Sequence, residues 1–251
     1  RDVSFQYPDT DRYVLKHVNL KFKIGEKLAV VGMNGSGKTT FIKLMCRLYD
    51  PTEGEILLNG VNIQKYDYDE YMSIFSVVFQ DVFAFSFPLS DNVSCQEEGG
   101  VDGKRLKDCL QKADLWERVQ TLERGEQTYL NKDIEASGVT LSGGEMQKLM
   151  LARALYKDAS MVILDEPTAA LDPIAESGLY EKYFDMTREK TSIFISHRLS
   201  STKFCDRILF MEEGRITEEG THEELLAKNG AYAAMFHTQA QYYEPGKTVC
   251  D

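Results

Sequence analysis

The sequence predicts an α/β fold with a mainly parallel sheet core, an antiparallel β subdomain and an inserted helical subdomain. Three observations predict it. Short apolar runs such as "KLAVVG", "MVILDE" and "TSIFISH" are typical of strands buried on both faces of a parallel sheet. Helix-like segments alternate with these runs, which favours a sheet covered by helices. Between about residues 85 and 157 the strand signals fade and helical patterns replace them, which indicates the insertion.

Along the chain, the antiparallel part comes first. "VSFQY" is read as a strand, and "VLKHVNLKFK" as half-buried antiparallel strands, because its apolar and polar residues alternate. "EILLNGVNI" predicts a hairpin with Asn59 and Gly60 at its turn. A helix is expected to begin near Lys38. Its predicted apolar side consists of Phe41, Ile42, Leu44, Met45 and Leu48.

The middle of the chain is predicted to be helical in two stretches, "GKRLKDCLQKADLWERV" and "GGEMQKLMLARALYK". We therefore predict that residues 1–84 and 158–241 form the core with its antiparallel β subdomain. Residues 85–157 form the helical subdomain, and residues 242–251 are a C-terminal tail. The chain begins with arginine rather than methionine and enters a strand almost at once, so it is expected to start inside a longer polypeptide.

Composition sets limits on function. The chain has 251 residues, of which 43% are hydrophobic, and this is enough to bury a sizeable core. Its formal net charge of −11 argues against a nucleic-acid surface, which would show clustered lysine and arginine. The five cysteines are widely spaced and form no CxxC pair, which predicts reduced thiols in a cytosolic setting. No apolar run approaches the roughly 20 residues that cross a bilayer.

The glycine-rich stretch "GMNGSGKTT" carries the first chemical prediction. Gly32, Gly35, Gly37, Lys38 and Thr39 fit the pattern GxxxxGK[ST], placed after a strand and before a helix. Backbone N–H groups of such a loop surround phosphates, the lysine reaches the β and γ phosphates, and the threonine hydroxyl can ligate Mg²⁺. The alternative, a glycine turn before an ordinary helix, is less specific than this match.

Polar residues end three of the predicted strands. Gln80 follows "SVVF", Asp165 and Glu166 end "MVILDE", and His197 ends "TSIFISH". Each has an ordinary explanation, as a solvated glutamine, a helix-capping acidic pair or a structural histidine. Because open α/β sheets bind ligands beyond the carboxyl ends of their strands, the combination with a phosphate loop favours one shared site.

Chemical roles follow from these residue types. Asp165 is expected to hold Mg²⁺, directly or through water, while the side chain of Glu166 points elsewhere because neighbouring strand residues alternate in direction. Glu166 is therefore available to orient the attacking water. Lys38 and His197 are expected near the γ-phosphate, and Gln80 near the metal or the water.

A second glycine-containing motif, "LSGGE", leads directly into a predicted helix. The first backbone N–H groups of a helix have no intrahelical partner and the helix dipole is positive there, so this turn can also bind an anion. The sequence thus holds two phosphate-binding signals more than a hundred residues apart.

The ordered set "GMNGSGKTT", "VVFQD", "LSGGE", "MVILDEPTAALD" and "ISHR" closely resembles the ATP-binding domain of ABC transporters over nearly the whole chain. The resemblance implies a P-loop NTPase (RecA-like) core with ATP as substrate and Mg²⁺ as cofactor. It implies that Tyr7 stacks on adenine, for which a core tyrosine is the alternative. The phosphate-binding residues that it implies are Asn34, Gly35, Ser36, Gly37, Lys38, Thr39 and Thr40.

The resemblance also explains the second motif. In this family two ATP-binding domains pack head to tail, so the signature loop of one meets the ATP held by the other. Ser142, Gly143, Gly144 and Glu145 are therefore expected to contact a partner's ATP, with Asp172 as the D-loop residue. The partner domain is either a second copy of this chain or a different chain. A transmembrane domain is expected upstream of residue 1, which places this domain on the cytoplasmic face of the cell membrane.

The sequence features that indicate the direction of transport are less specific than those that indicate ATP binding. "FAFSFPLSDNV" resembles the segment of exporters that meets the transmembrane half, and "EASG" loosely resembles their coupling loop. Against export, Pro167 in "DEPTAALD" and Glu145 in "LSGGE" depart from the exporter pattern, and an importer subunit is the alternative. A chromosome-maintenance or DNA-repair ATPase would carry a long coiled-coil or zinc insertion that this chain does not have. A non-hydrolysing module is disfavoured, since both Glu166 and His197 are present.

Overall fold

The computed structural model describes residues 1–80, 83–96, 100–166, 182–196 and 199–243. Its strands are β1 (Val3–Gln6), β2 (Tyr13–Val18), β3 (Lys27–Val31), β4 (Leu57–Leu58), β5 (Val61–Asn62), β6 (Phe75–Val78), β7 (Met161–Asp165), β8 (Thr191–Ile195), β9 (Arg207–Glu212) and β10 (Arg215–Gly220). Its helices are α1 (Lys38–Met45), α2 (Tyr68–Ser73), α3 (Leu89–Ser94), α4 (Gly103–Lys112), α5 (Trp116–Gln120), α6 (Gly143–Lys157), α7 (His222–Lys228) and α8 (Ala231–Tyr243). Residues 182–186 are also helical.

The chain divides into two compact units. One combines Arg1–Ser73 with the chain from Thr191 onward, and the other spans Ile74–Lys190.

In the first unit, four strands lie in the order β10, β9, β3, β8. β3 pairs in parallel with β8, where Leu28 faces Ile193, and with β9, where Ala29 faces Ile208. β10 is antiparallel to β9. Residues 28–31 of β3 have no measurable exposure, and burial of each leucine or valine side chain contributes about 1.5–3 kcal/mol to folding. The strand therefore gives the loop that follows it a rigid base.

Two antiparallel pairs complete the first unit. β1 pairs with β2, and β4 pairs with β5 through the turn formed by Asn59 and Gly60. Both turn residues have positive φ, 51° and 84°, as a tight hairpin of this type requires. The predicted hairpin is confirmed, as is the combination of a parallel core with antiparallel strands.

Helix α1 begins at Lys38, as predicted, and four of its five predicted apolar residues are buried, namely Phe41, Ile42, Leu44 and Met45. The prediction for Leu48 is wrong. The helix ends at Met45, and Arg47 takes a left-handed conformation (φ 52°) that turns the chain outward, so Leu48 is 42% exposed.

In the second unit, β6 and β7 pair in parallel, and the long helix α6 packs on α3, α4 and β6. α6 covers the predicted stretch "GGEMQKLMLARALYK" from end to end. The other predicted helical stretch is broken into α4 and α5, because Asp114 adopts a left-handed conformation (φ 54°) between them. Leu149, Leu151 and Ala152 of α6 are fully buried, so this helix is the core of the unit.

Candidate nucleotide site

The loop from Gly32 to Gly37 connects β3 to α1 in the first unit. Gly32 has φ +148°, and a Cβ atom built there would lie 2.2 Å from the carbonyl oxygen of Met211 on β9. Only glycine fits this crossing. The buried hydroxyl of Ser36 has no hydrogen-bond partner among the described residues, which leaves it available to a ligand.

The start of α1 is suited to an anion. Gly37 caps the helix without a side-chain hydrogen bond, and the first turn contains no acidic residue. The backbone N–H groups at a helix start carry partial positive charge, and they bind an anion well when no acidic side chain occupies the position. Thr39, half-buried in this turn, adds a hydroxyl group.

The side chain of Lys38 curls back over the loop. Its Nζ donates to the carbonyl oxygens of Gly32 at 2.9 Å and Met33 at 3.1 Å, and the residue is only 5% exposed. These bonds hold the ammonium group against the first two residues of the loop.

Tyr7 lies beside this loop. Its hydroxyl group is 3.0 Å from the Thr40 hydroxyl, and its ring packs edge-on against Phe5 and Tyr49, with centroids at 5.0 and 5.2 Å. The Nζ atom of Lys43 is 5.8 Å from the ring centroid. Tyr7 is half-buried rather than part of the core.

Two acidic residues mark the end of β7 in the second unit. Asp165 is 1% exposed, whereas Glu166 is half-buried, and this difference fits side chains that point in different directions. Glu166 adopts a left-handed backbone conformation (φ 48°). For a non-glycine residue this conformation carries strain, which is characteristic of functional positions.

The prediction that Gln80 ends a strand is wrong. β6 stops at Val78, and Gln80 lies two residues further on, exposed to solvent.

The signature residues form the start of α6. Ser142 caps the helix, and its side chain accepts from the backbone N–H of Glu145 at 3.3 Å. In return, Glu145 Oε2 accepts from the Ser142 backbone N–H at 2.8 Å and from its hydroxyl at 2.9 Å. Gly143 is exposed and Gly144 half-buried, so this turn presents backbone to the surroundings.

Glu145 is also paired with Arg118 of α5, whose Nε lies 2.8 Å from Glu145 Oε1. Burial raises the pKa of Glu145, but the hydrogen bonds from Ser142 and the positive charge of Arg118 outweigh it, so that the pKa lies below its ordinary value. The carboxylate is therefore ionised at neutral pH. The sequence contains no local pattern that indicates this role of Arg118, because Arg118 lies 27 positions before Glu145.

A cluster of exposed aromatic rings precedes α3. Phe83, Phe85 and Phe87 are 63%, 50% and 50% exposed, and neighbouring rings lie 5.2 and 6.2 Å apart. We call these three residues the aromatic segment. Exposed apolar surface of this kind marks interaction sites.

The buried side chain of Asn92 holds this segment in shape. Its Oδ1 accepts from the Phe85 backbone N–H, and its Nδ2 donates to the carbonyl oxygens of Phe85, Phe87 and Pro88, all at 2.9–3.2 Å. Arg153 of α6 donates in turn to the Asn92 carbonyl oxygen at 2.7 Å. No sequence motif indicates this role of Asn92. The one local signal is an asparagine inside a helix, where this residue type is unfavourable.

Two predicted site residues, His197 and Asp172, lie outside the described residues. The others divide between the units. Tyr7 and the phosphate loop belong to the first unit, and Gln80, Asp165, Glu166 and the signature turn belong to the second.

A family model described as ABC transporter matches residues 15–169, more than half of the chain. The chain belongs to the ABC transporter family. The match runs from β2 past the end of β7, so it includes the phosphate loop, the signature turn and both acidic residues.

Other members of the ABC transporter family are similar over almost the whole chain. Subtilin transport ATP-binding protein SpaT of Bacillus subtilis is 41% identical over 251 residues, which cover 98% of this chain and 40% of that protein. An ATP-dependent lipid A-core flippase of Paraburkholderia xenovorans is 40% identical over 244 residues, 96% of this chain and 40% of the flippase. The chain thus spans about two fifths of the length of these relatives.

Solved structures agree. A bacterial Atm1-family ABC exporter with ATP bound is 32% identical, with a TM-score of 0.86 over 98% of this chain and 42% of the exporter. This likeness and the family match establish the P-loop NTPase fold and the ATPase domain of an ABC transporter. No described helix has both the length and the apolar character needed to span a membrane.

Proposed function

We propose that this chain is the nucleotide-binding domain of an ABC exporter, which binds and hydrolyses MgATP in a head-to-tail dimer and so drives export of a substrate. The observation that carries the proposal is the phosphate loop: the Lys38 Nζ atom is bonded to the Gly32 carbonyl oxygen of the loop, and the first turn of α1 contains no acidic residue. The named relatives, a subtilin transport protein and a lipid A-core flippase, and the Atm1-family exporter favour export over import.

In this proposal the first unit binds the nucleotide. The backbone N–H groups of the phosphate loop surround the β and γ phosphates, Lys38 neutralises their charge, and the Ser36 hydroxyl donates a further hydrogen bond. The ring of Tyr7 stacks on the adenine base. The other loop residues with this role are Asn34, Gly35, Gly37, Thr39 and Thr40.

Magnesium fits the oxygen groups that the chain offers. The Thr39 hydroxyl and the Asp165 carboxylate are hard oxygen ligands, with Gln80 as a third donor, and Mg²⁺ prefers one or two such protein ligands together with phosphate oxygens. The described residues contain no group of three or more His, Cys, Asp or Glu side chains that could hold a metal ion. Bound Mg²⁺ would neutralise charge that develops on the phosphates.

Hydrolysis then requires a water in line with the γ-phosphorus. Glu166 orients this water and accepts one of its protons while the water oxygen bonds to the γ-phosphorus and the bond to the bridging oxygen breaks. This leaves ADP and phosphate, and the proton then passes from Glu166 to the released phosphate. Lys38 and His197 stabilise the charge on the transferring group, and Gln80 contacts the water or the metal. The strained backbone of Glu166 fits a residue whose direction matters.

The dimer uses the signature turn. Ser142, Gly143, Gly144 and Glu145 contact ATP bound to the other domain, with Asp172 as the D-loop residue at the same interface. A two-fold arrangement with a second copy creates two such sites. Because ATP is then part of the interface, its hydrolysis removes the contact that keeps the dimer closed.

The aromatic segment is the proposed contact with a transmembrane part, since its three rings are exposed and apolar. Such a part fused upstream of residue 1 would place the domain on the cytoplasmic face of the membrane. We also propose that residues 85–157, which contain α3 to α6, act as a helical subdomain on a core of residues 1–84 and 158–241, followed by a tail of residues 242–251.

The test is the solution mass of Glu166→Gln with and without MgATP, measured by light scattering after size exclusion. We expect ATP to double the mass, because this variant binds ATP but hydrolyses it slowly. The matched control is Glu189→Gln, an exposed glutamate of the same unit, which should return to monomer as it consumes ATP. A Glu166→Gln protein that binds ATP and stays monomeric would contradict a dimer with a second copy.

A further inference from the structure

Glu145 places a negative charge in the first turn of α6. A carboxylate there stabilises the helix start, through both the macrodipole and the capping bonds to Ser142. The proposed function brings an ATP phosphate to the same turn. A carboxylate beside a phosphate is unfavourable because like charges repel. Some feature of the chain has to offset this repulsion if the turn is to bind nucleotide.

Both oxygens of this carboxylate are engaged by neighbouring groups. Oε2 accepts two hydrogen bonds from Ser142, at 2.8 and 2.9 Å, and Oε1 faces the Nε atom of Arg118 at 2.8 Å. The side chain of Glu145 is 26% exposed and that of Arg118 is 40% exposed. The pair is thus partly shielded from solvent.

The hydroxyl group of Ser142 has two alternative acceptors, the Glu145 carboxylate and a phosphate oxygen. It donates to Glu145 here, but it must donate to a phosphate oxygen if the turn binds ATP. A carboxylate whose charge is neutralised competes less strongly for this proton. The state of the Glu145 charge therefore decides how readily Ser142 turns to a ligand.

Packing of α5 and a hydrogen bond hold Arg118 in place. α5 is anchored by its N-cap residue Leu115 and by Val119, which are 0% and 1% exposed. The NH1 atom of Arg118 donates to the Thr121 hydroxyl at 3.0 Å, which fixes one edge of the guanidinium while Nε faces Glu145. An arginine held at two points loses little entropy when it binds an anion.

The nearest cation along α6 is differently engaged. Lys148 lies one turn further along the helix, and its Nζ donates to the carbonyl oxygen of Asp114 at 3.3 Å. Among the ion pairs of the described residues, Arg118 is the partner of Glu145. Arg118 is therefore the cation whose removal would expose the Glu145 charge.

We propose that Arg118 is a positioning residue of the signature turn: it neutralises Glu145 and holds this carboxylate against Ser142, so that the turn accepts the ATP of a second copy. The inference rests on the proposed function, because it presumes that the turn meets a partner's nucleotide. Arg118 acts through Glu145, and this distinguishes it from a residue that merely stabilises α5.

The experiment compares four proteins in the Glu166→Gln background: the parent, Arg118→Gln, Glu145→Gln and the double variant. Light scattering gives the MgATP concentration at which half of each protein is dimeric. Arg118→Gln should raise this concentration about tenfold, since an uncompensated like charge then faces the phosphates. Glu145→Gln should lower it, and the double variant should return to within about threefold of the parent.

Arg124→Gln is the matched control. Arg124 belongs to the same unit and pairs with Glu135 at 3.7 Å, so its loss removes one positive charge from a different ion pair. Its half-dimerisation concentration should stay within about twofold of the parent.

The outcomes separate the two proposals. Dimerisation of Arg118→Gln at the parental ATP concentration would overturn the role of Arg118 alone. A double variant as weak as Arg118→Gln would also overturn it, because Arg118 would then act through another group or through folding. A parent that binds ATP and never dimerises would overturn the proposed dimer, and this inference with it.

Discussion

The hydroxyl group of Tyr7 lies 3.0 Å from the hydroxyl group of Thr40, so the aromatic residue at the end of β1 is tied to the first turn of α1. Two functions of Tyr7 can therefore be separated. The ring can stack on a base, while the hydroxyl group links β1 to the phosphate loop. Substitutions that remove one function and keep the other should therefore differ in their effect on ligand binding.

Tyr7→Ala should weaken ATP binding by about 1–3 kcal/mol, because a base then loses its stacking partner. Binding of inorganic triphosphate, which has no base, should change much less. A competition titration with both ligands measures the difference. Tyr7→Phe is the control, since it keeps the ring and loses the bond to Thr40. Equal losses for ATP and triphosphate in Tyr7→Ala would argue against stacking.

Lys38→Ala should reduce ATP turnover at least about a hundredfold, because the ammonium group held over the loop by Gly32 and Met33 is lost. The measurement is steady-state release of phosphate at saturating MgATP. Lys65→Ala, an exposed lysine of the same unit, serves as control and should retain turnover. Undiminished activity in Lys38→Ala would remove the phosphate-loop assignment.

Glu166→Gln should bind ATP as tightly as the parent. It should hydrolyse ATP at least about a hundredfold more slowly, since an amide can orient the water but cannot accept its proton. Single-turnover hydrolysis with excess protein separates the chemical step from product release. If Glu166→Gln turned over at the parental rate, another group would have to handle the water.

Gly32→Ala should destabilise the fold more than Gly35→Ala. Both residues have positive φ, but a Cβ atom at Gly32 would lie 2.2 Å from the Met211 carbonyl oxygen, whereas one at Gly35 would meet nothing within 4 Å. The difference in free energy of unfolding should be about 1–3 kcal/mol, measured by urea denaturation. Equal losses would show that backbone strain, rather than the contact with β9, decides the cost.

Glu145→Ala should lower the free energy of unfolding by about 1 kcal/mol at neutral pH, since α6 loses its capping box. The pKa of Glu145 is lowered in the folded protein, so folding favours the ionised form. The stabilisation is present above the ordinary pKa and is lost as pH falls through the lowered one.

The difference between the parent and Glu145→Ala should therefore shrink when urea denaturation is repeated at progressively lower pH. Glu123→Ala, an exposed glutamate of the same unit, should show no such trend. A constant difference down to strongly acidic pH would mean that capping does not depend on the charge of Glu145.

Local signals in the sequence were strong where local physics decides the structure. Asn59 and Gly60 tolerate the positive φ of a two-residue turn, and the hairpin forms where they stand. Ser142 and Glu145 satisfy each other's backbone groups, and α6 begins directly after Ser142. The phosphate loop was recognisable for the same reason, because glycine spacing and a lysine at the helix start leave few alternatives.

The predictions from sequence that are wrong or absent concern positions at which the chain turns or at which residues distant in the sequence meet. The apolar periodicity of α1 continues to Leu48 in the sequence. The helix, however, ends before the left-handed Arg47, so Leu48 does not lie on its buried side. Gln80 was placed at a strand end that comes two residues earlier. The pairing of Arg118 with Glu145 depends on how α5 packs, and spacing along the chain contains no information about that.

The bonds of Asn92 determine what it costs to cover the aromatic segment. One side chain satisfies backbone groups of Phe85, Phe87 and Pro88, so the rings are presented on a backbone that is already ordered. Fixing the backbone of one residue costs about 1–2 kcal/mol of conformational entropy. A membrane-embedded partner that docks here would avoid much of this entropy loss, and its association would follow rigid-body encounter rather than folding upon contact.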